Sequence, residues 1–157
     1  MAIIAVVGAG QCDPETTVLA ETVGQELAQA GITLICGGLG GVMAAACRGA
    51  KAAGGQTIGI LPGSDPQMAN AWVDIAIATG MGEARNLILV HTAQALIAVG
   101  GEYGTLSEIA FALKLGKPVI GLQTWQLSRQ GRTIEPILEV DTPQQAVQQV
   151  LWVLQQG

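Results

Sequence analysis

Runs of consecutive apolar residues alternate with helical periodicities along almost the whole chain. Met1 to Val7 is uninterrupted apolar sequence and predicts a buried strand, broken by Gly8-Ala9-Gly10. Asp13 followed by Pro14 is an N-cap with proline at the first helical position, and Leu19, Val23 and Leu27 then recur every four residues up to Gly31. Ile32 to Ile35 predicts a second strand, Val42 to Ala53 a helix of small residues ended by Gly54-Gly55, and Thr57 to Leu61 a third strand. Pro62-Gly63-Ser64-Asp65-Pro66 opens a loop before a strand over Trp72 to Ala78. Met81 to Ala93 reads as one helix, Ala95 to Val99 as a strand, Thr105 to Leu115 as a helix stopped by Gly116, and Pro118 to Leu122 as a last parallel strand. Beyond it, Trp125 to Arg132 reads as a loop, Ile137 to Val140 as extended, and Thr142-Pro143 as the start of a glutamine-rich helix.

Short buried strands alternating with helices imply parallel pairing through crossover connections. The expected fold is therefore α/β: one Rossmann-like, doubly wound and mainly parallel sheet over residues 1–157, with helices on both faces. Ligand groups belong at the carboxyl ends of its strands.

Composition sharpens this picture. Half of the 157 residues are apolar, yet the aromatics number only three tryptophans, one tyrosine and one phenylalanine. Ala, Val, Ile and Leu must fill the interior, as suits helices packed closely on a parallel sheet. No apolar stretch approaches the roughly 20 residues that span a bilayer, and residues 1 to 47 contain no Lys or Arg to form the charged start of a secretory signal. A cytoplasmic protein without a membrane partner is expected. Cys12, Cys36 and Cys47 lack metal-ligand spacing and are odd in number, so neither a disulfide framework nor a metal site is expected. The net charge of −5 with scattered cations offers no basic stripe for nucleic acid. Anion-binding power has to be gathered locally.

Two glycine-rich strand-to-helix junctions can gather it. The first is Gly37-Gly38-Leu39-Gly40-Gly41 before Val42; the second is Gly100-Gly101-Glu102-Tyr103-Gly104-Thr105 after Val99. Glycine permits tight turns and close approach of a ligand to the main chain, and a helix start adds unpaired N–H groups and partial positive charge. Close helix packing is the competing explanation for the first junction. At the second, Thr105 and Glu108 have capping-box spacing, which alone would account for both. Gly8 and Gly10 form either a tight turn or a pocket wall. They do not complete a dinucleotide fingerprint, because Asp13 stands where its third glycine belongs and no acid follows the second strand, so NAD is not expected. Arg85 is the only Lys or Arg between Lys51 and Lys114. Its guanidinium suits phosphate or carboxylate, or pairing with Glu108 or Glu102; Glu83, two residues away on the same expected helix, is a poor partner. Tyr103 is the single tyrosine and could pack on a flat ring, whereas His91, the single histidine, has no visible acid or nucleophile and reads as a packing residue.

Gly37-Gly38-Leu39-Gly40-Gly41-Val42-Met43, then Arg85-Asn86, then Gly104-Thr105-Leu106-Ser107-Glu108, in that order, resemble the LOG-like Rossmann superfamily, also labelled lysine decarboxylase-like. Within it the short chain is most similar to the molybdenum cofactor carrier proteins. The resemblance spans roughly Ala2 to Leu122 and departs from the family pattern at Glu102, an acid where a glycine is usual. It implies a carrier holding the molybdenum cofactor (molybdopterin) as cargo, a small phosphorylated ligand, at Gly8, Gly10, Gly37, Gly38, Gly40, Gly41, Arg85, Asn86, Gly100, Gly101, Glu102, Tyr103, Gly104 and Thr105. It also implies a homodimer or homotetramer that exchanges cargo with molybdoenzymes or cofactor-synthesis proteins. The alternative it implies is a nucleoside 5′-monophosphate phosphoribohydrolase with Arg85 and Glu108 as catalytic residues. Pyridoxal phosphate is not expected, since no lysine stands at a suitable site.

Overall fold

The computed structural model describes residues 1–134 and 136–157, with the side chains of residues 133 and 134 excepted. Seven strands form one wholly parallel sheet: β1 (Ile3–Gly8), β2 (Thr33–Cys36), β3 (Thr57–Leu61), β4 (Ile75–Ala78), β5 (Ala95–Val99), β6 (Val119–Leu122) and β9 (Ile137–Glu139). Their order is β4-β3-β2-β1-β5-β6-β9. The chain therefore builds outward from β1 in one direction and, after β4, returns to build outward in the other. That reversal opens a crevice between β1 and β5, beyond their carboxyl ends, where doubly wound sheets hold ligands.

Alternation along β1 shows how the sheet is buried on both faces. Ile4 and Val6 pack with α1 (Pro14–Gln29), α2 (Val42–Ala52) and α5 (Pro143–Gln156), through Val23, Leu27, Ala46 and Val147. Ala5 and Val7 point to the other side, into a core with Leu89 and Val90 of α3 (Arg85–Thr92) and Ile109 and Ala112 of α4 (Tyr103–Lys114). Capping follows the sequence: Asp13 Oδ1 accepts the Thr16 N–H at 2.7 Å, and Thr142 Oγ1 accepts that of Gln145 at 3.2 Å. The small residues of α1 and α2 let their backbones meet. A Cβ on Gly24 would collide with the Ala46 carbonyl, and one on Gly49 with the Glu21 carbonyl.

Four expectations need correction. The expected strand over 72–78 begins only at Ile75, because the Asp74 carboxylate is drawn off to Lys51 Nζ and the Thr57 N–H, both at 2.9 Å. The expected helix over 81–93 is broken: a 3-10 turn at Gly82–Ala84 precedes α3, with Gly82 at φ 59°. Pro118 to Leu122 does not end the parallel sheet, since β9 pairs with β6. The expected loop over 125–132 contains a strand, β7 (Leu127–Arg129), paired antiparallel with β8 (Arg132–Ile134) across a tight turn where Gln130 and Gly131 both have positive φ. Cys36 and Cys47 are fully buried, with sulfur atoms 3.5 Å apart. Their contact and burial push the Cys47 thiol up.

Candidate functional site

A cavity of about 690 Å³ opens at the carboxyl ends of β1, β2 and β5, a volume usual for a small-molecule site. Three strand-to-helix junctions make its walls. Gly8 ends β1 and Gly10 follows it, Gly37 and Gly40 follow β2, and Glu102, Gly104 and Thr105 follow β5. Arg85, Asn86 and Glu108 come from α3 and α4. All of these belong to the set expected from sequence.

Arg85 is the pivot. It is only 5% exposed, placed at the first residue of α3 by the 3-10 turn before it. Its Nε donates to the Ile60 carbonyl at 2.9 Å, tying the guanidinium to the end of β3, and Nη1 donates to Asn86 Oδ1. The guanidinium lies against Gly37, where a Cβ would sit 3.0 Å from Nη2 and 2.7 Å from Met43 Sδ. Nη2 has no hydrogen-bond partner among the described residues, and none of their fully buried polar side-chain atoms lacks one, so Nη2 opens onto the cavity. The result is a buried cation with one edge anchored and one edge free.

Unpaired amides face the same space. The first turn of α4 leaves the Gly104 and Thr105 N–H groups without intrahelical acceptors, at the positive end of the helix. At α2 the arrangement is partly closed, because the Val42 N–H is consumed by the Ala9 carbonyl at 3.0 Å.

Glu108 forms part of the cavity wall, 8% exposed. Burial pushes its carboxyl up to about 7, against the pull of the Arg85 charge, and the Glu83 charge pushes in the same direction as burial. Among the described residues it makes neither a salt bridge with Arg85 nor a hydrogen bond. The capping-box reading is thereby overturned. Helix α4 starts at Tyr103 with Glu102 at the N-cap, so Thr105 is already inside the first turn and Glu108 lies beyond the reach of any cap. Glu83, expected to be a poor partner, stands 3.8 Å from Arg85 Nη1, because the break at the 3-10 turn removes the two residues from a common helix.

Other expected contacts fall elsewhere. Gly38 and Gly41 do not line the cavity. Both have positive φ, and a Cβ would meet Leu61 Cδ2 at 2.7 Å in the first case and the Ala9 carbonyl in the second, so they serve the turn. Tyr103 is 78% exposed and packs on Trp125, with ring centroids 5.8 Å apart. Gly100 and Gly101 line a second, shallower cavity of about 470 Å³ that shares Glu102 with the first. Gly101 is held at φ 110° with its open side 2.5 Å from the Thr105 side chain. Sequence reading missed Ala9, Gln11, Leu39, Met43 and Glu83 in the wall. Ala9 and Leu39 had a signal, since they lie inside the two glycine segments, and so did Met43, which follows the second by two residues; Gln11 and Glu83 had none.

Known proteins resemble this chain over nearly its whole length. The model of the SLOG cluster4 family matches residues 1–147. The chain belongs to the SLOG cluster4 family. An uncharacterized protein of Archaeoglobus fulgidus is 50% identical to this SLOG protein over 144 residues, covering 92% of this chain and 91% of its own. Among solved structures, the molybdenum cofactor binding protein of the phototrophic bacterium Rippkaea orientalis superposes with a TM-score of 0.88 at 38% identity, over 98% of this chain and 97% of its own. The molybdenum cofactor carrier protein of Chlamydomonas reinhardtii does so with a TM-score of 0.86 at 34% identity, over 99% of both chains. Among the described residues of this SLOG protein no helix is long and apolar enough to cross a membrane, and no cluster of three or more His, Cys, Asp or Glu is placed to hold a metal ion.

Proposed function

We propose that this protein carries or stores the molybdenum cofactor, binding its terminal phosphate and pterin in the cleft between the strand-to-helix junctions. The observation that carries this reading is Arg85: a buried guanidinium, fixed by the Ile60 carbonyl and Asn86, with Nη2 left open to the cavity beside two unpaired amides of α4. A fixed cation and preset N–H donors suit a phosphate or a molybdenum oxo group without rearrangement on binding. Gly37 leaves the room that Met43 Sδ and the Arg85 guanidinium occupy, whereas Gly10 and Gly104, where an added Cβ meets nothing within 4 Å, leave open wall for close approach of a ligand. The named activities of the proteins from Rippkaea and Chlamydomonas support the same reading. Carriage of this kind fits a cytoplasmic homodimer or homotetramer that passes its cargo to molybdoenzymes or receives it from cofactor-synthesis proteins.

One observation favours a second reading. Glu108, a carboxyl pushed up to about 7 beside Arg85, has the poise of a group that gives or takes a proton near neutral pH. A phosphoribohydrolase would use it to activate water or to stabilise the oxocarbenium-like transition state as a nucleoside 5′-monophosphate loses its base. One purified sample distinguishes the two. Acid oxidation should release a fluorescent pterin, and added AMP should yield no adenine above background; adenine without pterin would replace the carrier by the hydrolase.

A further inference from the structure

Among the described residues, Glu102 is the only one that lines both cavities, and its side chain is uncommitted. It occupies the N-cap position of α4 without making the capping hydrogen bond, and among the described residues its carboxylate joins no hydrogen bond or salt bridge. Its backbone, by contrast, is pinned. The Glu102 carbonyl accepts the indole N–H of Trp125 at 3.2 Å, and the Gly100 carbonyl accepts Thr124 Oγ1 at 2.6 Å. Trp125 lines the second cavity and packs against Tyr103. A free carboxylate thus stands on a rigid loop, between an anion site on one side and an aromatic wall on the other.

A carboxylate in that position weakens phosphate binding by repulsion, so its favourable partner must be another part of the ligand. Two carboxylate oxygens accept two parallel N–H bonds, and the complementary edge in a flat heterocycle is an exocyclic amino group next to a ring N–H. The 2-amino-4-oxo edge of pterins and of guanine has that pair. Adenine does not, because its amino group is flanked by ring nitrogens that only accept.

We propose that Glu102 is the specificity-determining residue of this site: it reads the 2-amino-4-oxo edge of a pterin-type ring that reaches across the Gly100-Gly101 loop toward Trp125, while the anionic end of the ligand lies on Arg85 and the α4 amides. The proposal rests on the carrier reading and names the part of the ligand that reading leaves open.

Calorimetric titration of the full chain with GMP, AMP, 6-hydroxymethylpterin and sulfate tests it. GMP should bind at least about tenfold more tightly than AMP. Glu102→Gln presents one acceptor and one donor to an edge that offers two donors, so it should reduce that preference to less than about twofold and abolish hydroxymethylpterin binding. Sulfate affinity in the variant should stay the same or rise severalfold, which also shows that the exposed position has not cost the fold. Equal affinity for GMP and AMP in the wild type, or a preference that survives Glu102→Gln, overturns the proposal. Failure of sulfate to bind in an Arg85-dependent manner overturns the carrier reading itself, so the two failures are told apart.

Discussion

Arg85 and Glu108 line one cavity without forming a salt bridge. The guanidinium is committed to the Ile60 carbonyl and Asn86 on one edge, and Glu108 is left buried with its carboxyl pushed up to about 7. Had the two paired, each would have neutralised the other and the cleft would hold little for an anion. Held apart, Arg85 keeps a donor free, and Glu108 becomes a group whose charge near neutral pH modulates what that donor can bind.

Anion affinity should therefore fall as the pH rises through about 7, when Glu108 ionises. Sulfate is the suitable probe, because its own charge is constant across this range. Titrations at pH 5.5 and 8.5 should show weaker binding at the higher pH, and Glu108→Gln should remove most of the difference. A pH response that survives in Glu108→Gln would place its origin elsewhere.

The same carboxyl sets a stability trend. At low pH it is protonated in both folded and unfolded chains; above its ordinary value of 4.5 the unfolded chain releases the proton while the folded chain keeps it. Stability should decline across the window from 4.5 to about 7 and level off above it, by up to about 3 kcal/mol from this group. Denaturant unfolding should show Glu108→Gln gaining on the wild type at pH 8 by more than at pH 5.

Arg85→Met should cost about 2 kcal/mol or more of anion affinity, the scale of a charge-assisted hydrogen bond lost in a shielded site. It should also destabilise the fold, since the Ile60 carbonyl loses its partner. Arg85→Lys separates the effects. A lysine restores the charge but not the fork that bonds Ile60, Asn86 and a ligand together, so it should recover little affinity.

Most of the fold was legible because its strands are short apolar runs and its helices carry plain caps. Asp13-Pro14 and Thr142-Pro143 start helices in the structure where the residues say they should. Legibility failed where a glycine altered the path without breaking hydrophobicity: Gly82 opens the 3-10 turn before Arg85, and that break brings Glu83 within reach of the guanidinium. The hairpin β7-β8 failed for a related reason, its turn resting on positive φ at Gln130, a residue that seldom adopts it. In the site, the ordered glycine, arginine and Gly-Thr-x-x-Glu elements pointed to one cleft. Residue spacing could not tell that Gly38 and Gly41 turn their open sides away from it, because the glycines of a loop are alike in sequence and differ only in what a Cβ would meet.

Gly101 distinguishes a structural glycine from a ligand-contacting one. Its φ of 110°, and a Thr105 side chain only 2.5 Å from where a Cβ would stand, leave no room for alanine. Gly101→Ala should cost about 1–3 kcal/mol of stability through backbone strain and displacement of Thr105. Gly104, around which no atom lies within 4 Å of an added Cβ, is the internal control: Gly104→Ala should leave stability nearly unchanged, so its effect on sulfate affinity reports the cavity alone.

Glu108→Gln finally separates carriage from catalysis. The structure removes the capping role that would have complicated the comparison, because Glu108 lies beyond the first turn of α4 and bonds to no backbone amide. Apart from its effect on stability, its charge then matters to the contents of the cavity. A carrier needs no proton transfer, so Glu108→Gln should hold its pterin as well as the wild type does or better, given the loss of a negative charge beside the anion. A hydrolase would keep nucleotide binding and lose turnover, since the removed group acts chiefly in the transition state. The expected outcome is pterin retained in both proteins and no adenine released from AMP by either; adenine release by the wild type that disappears in Glu108→Gln would establish the enzyme.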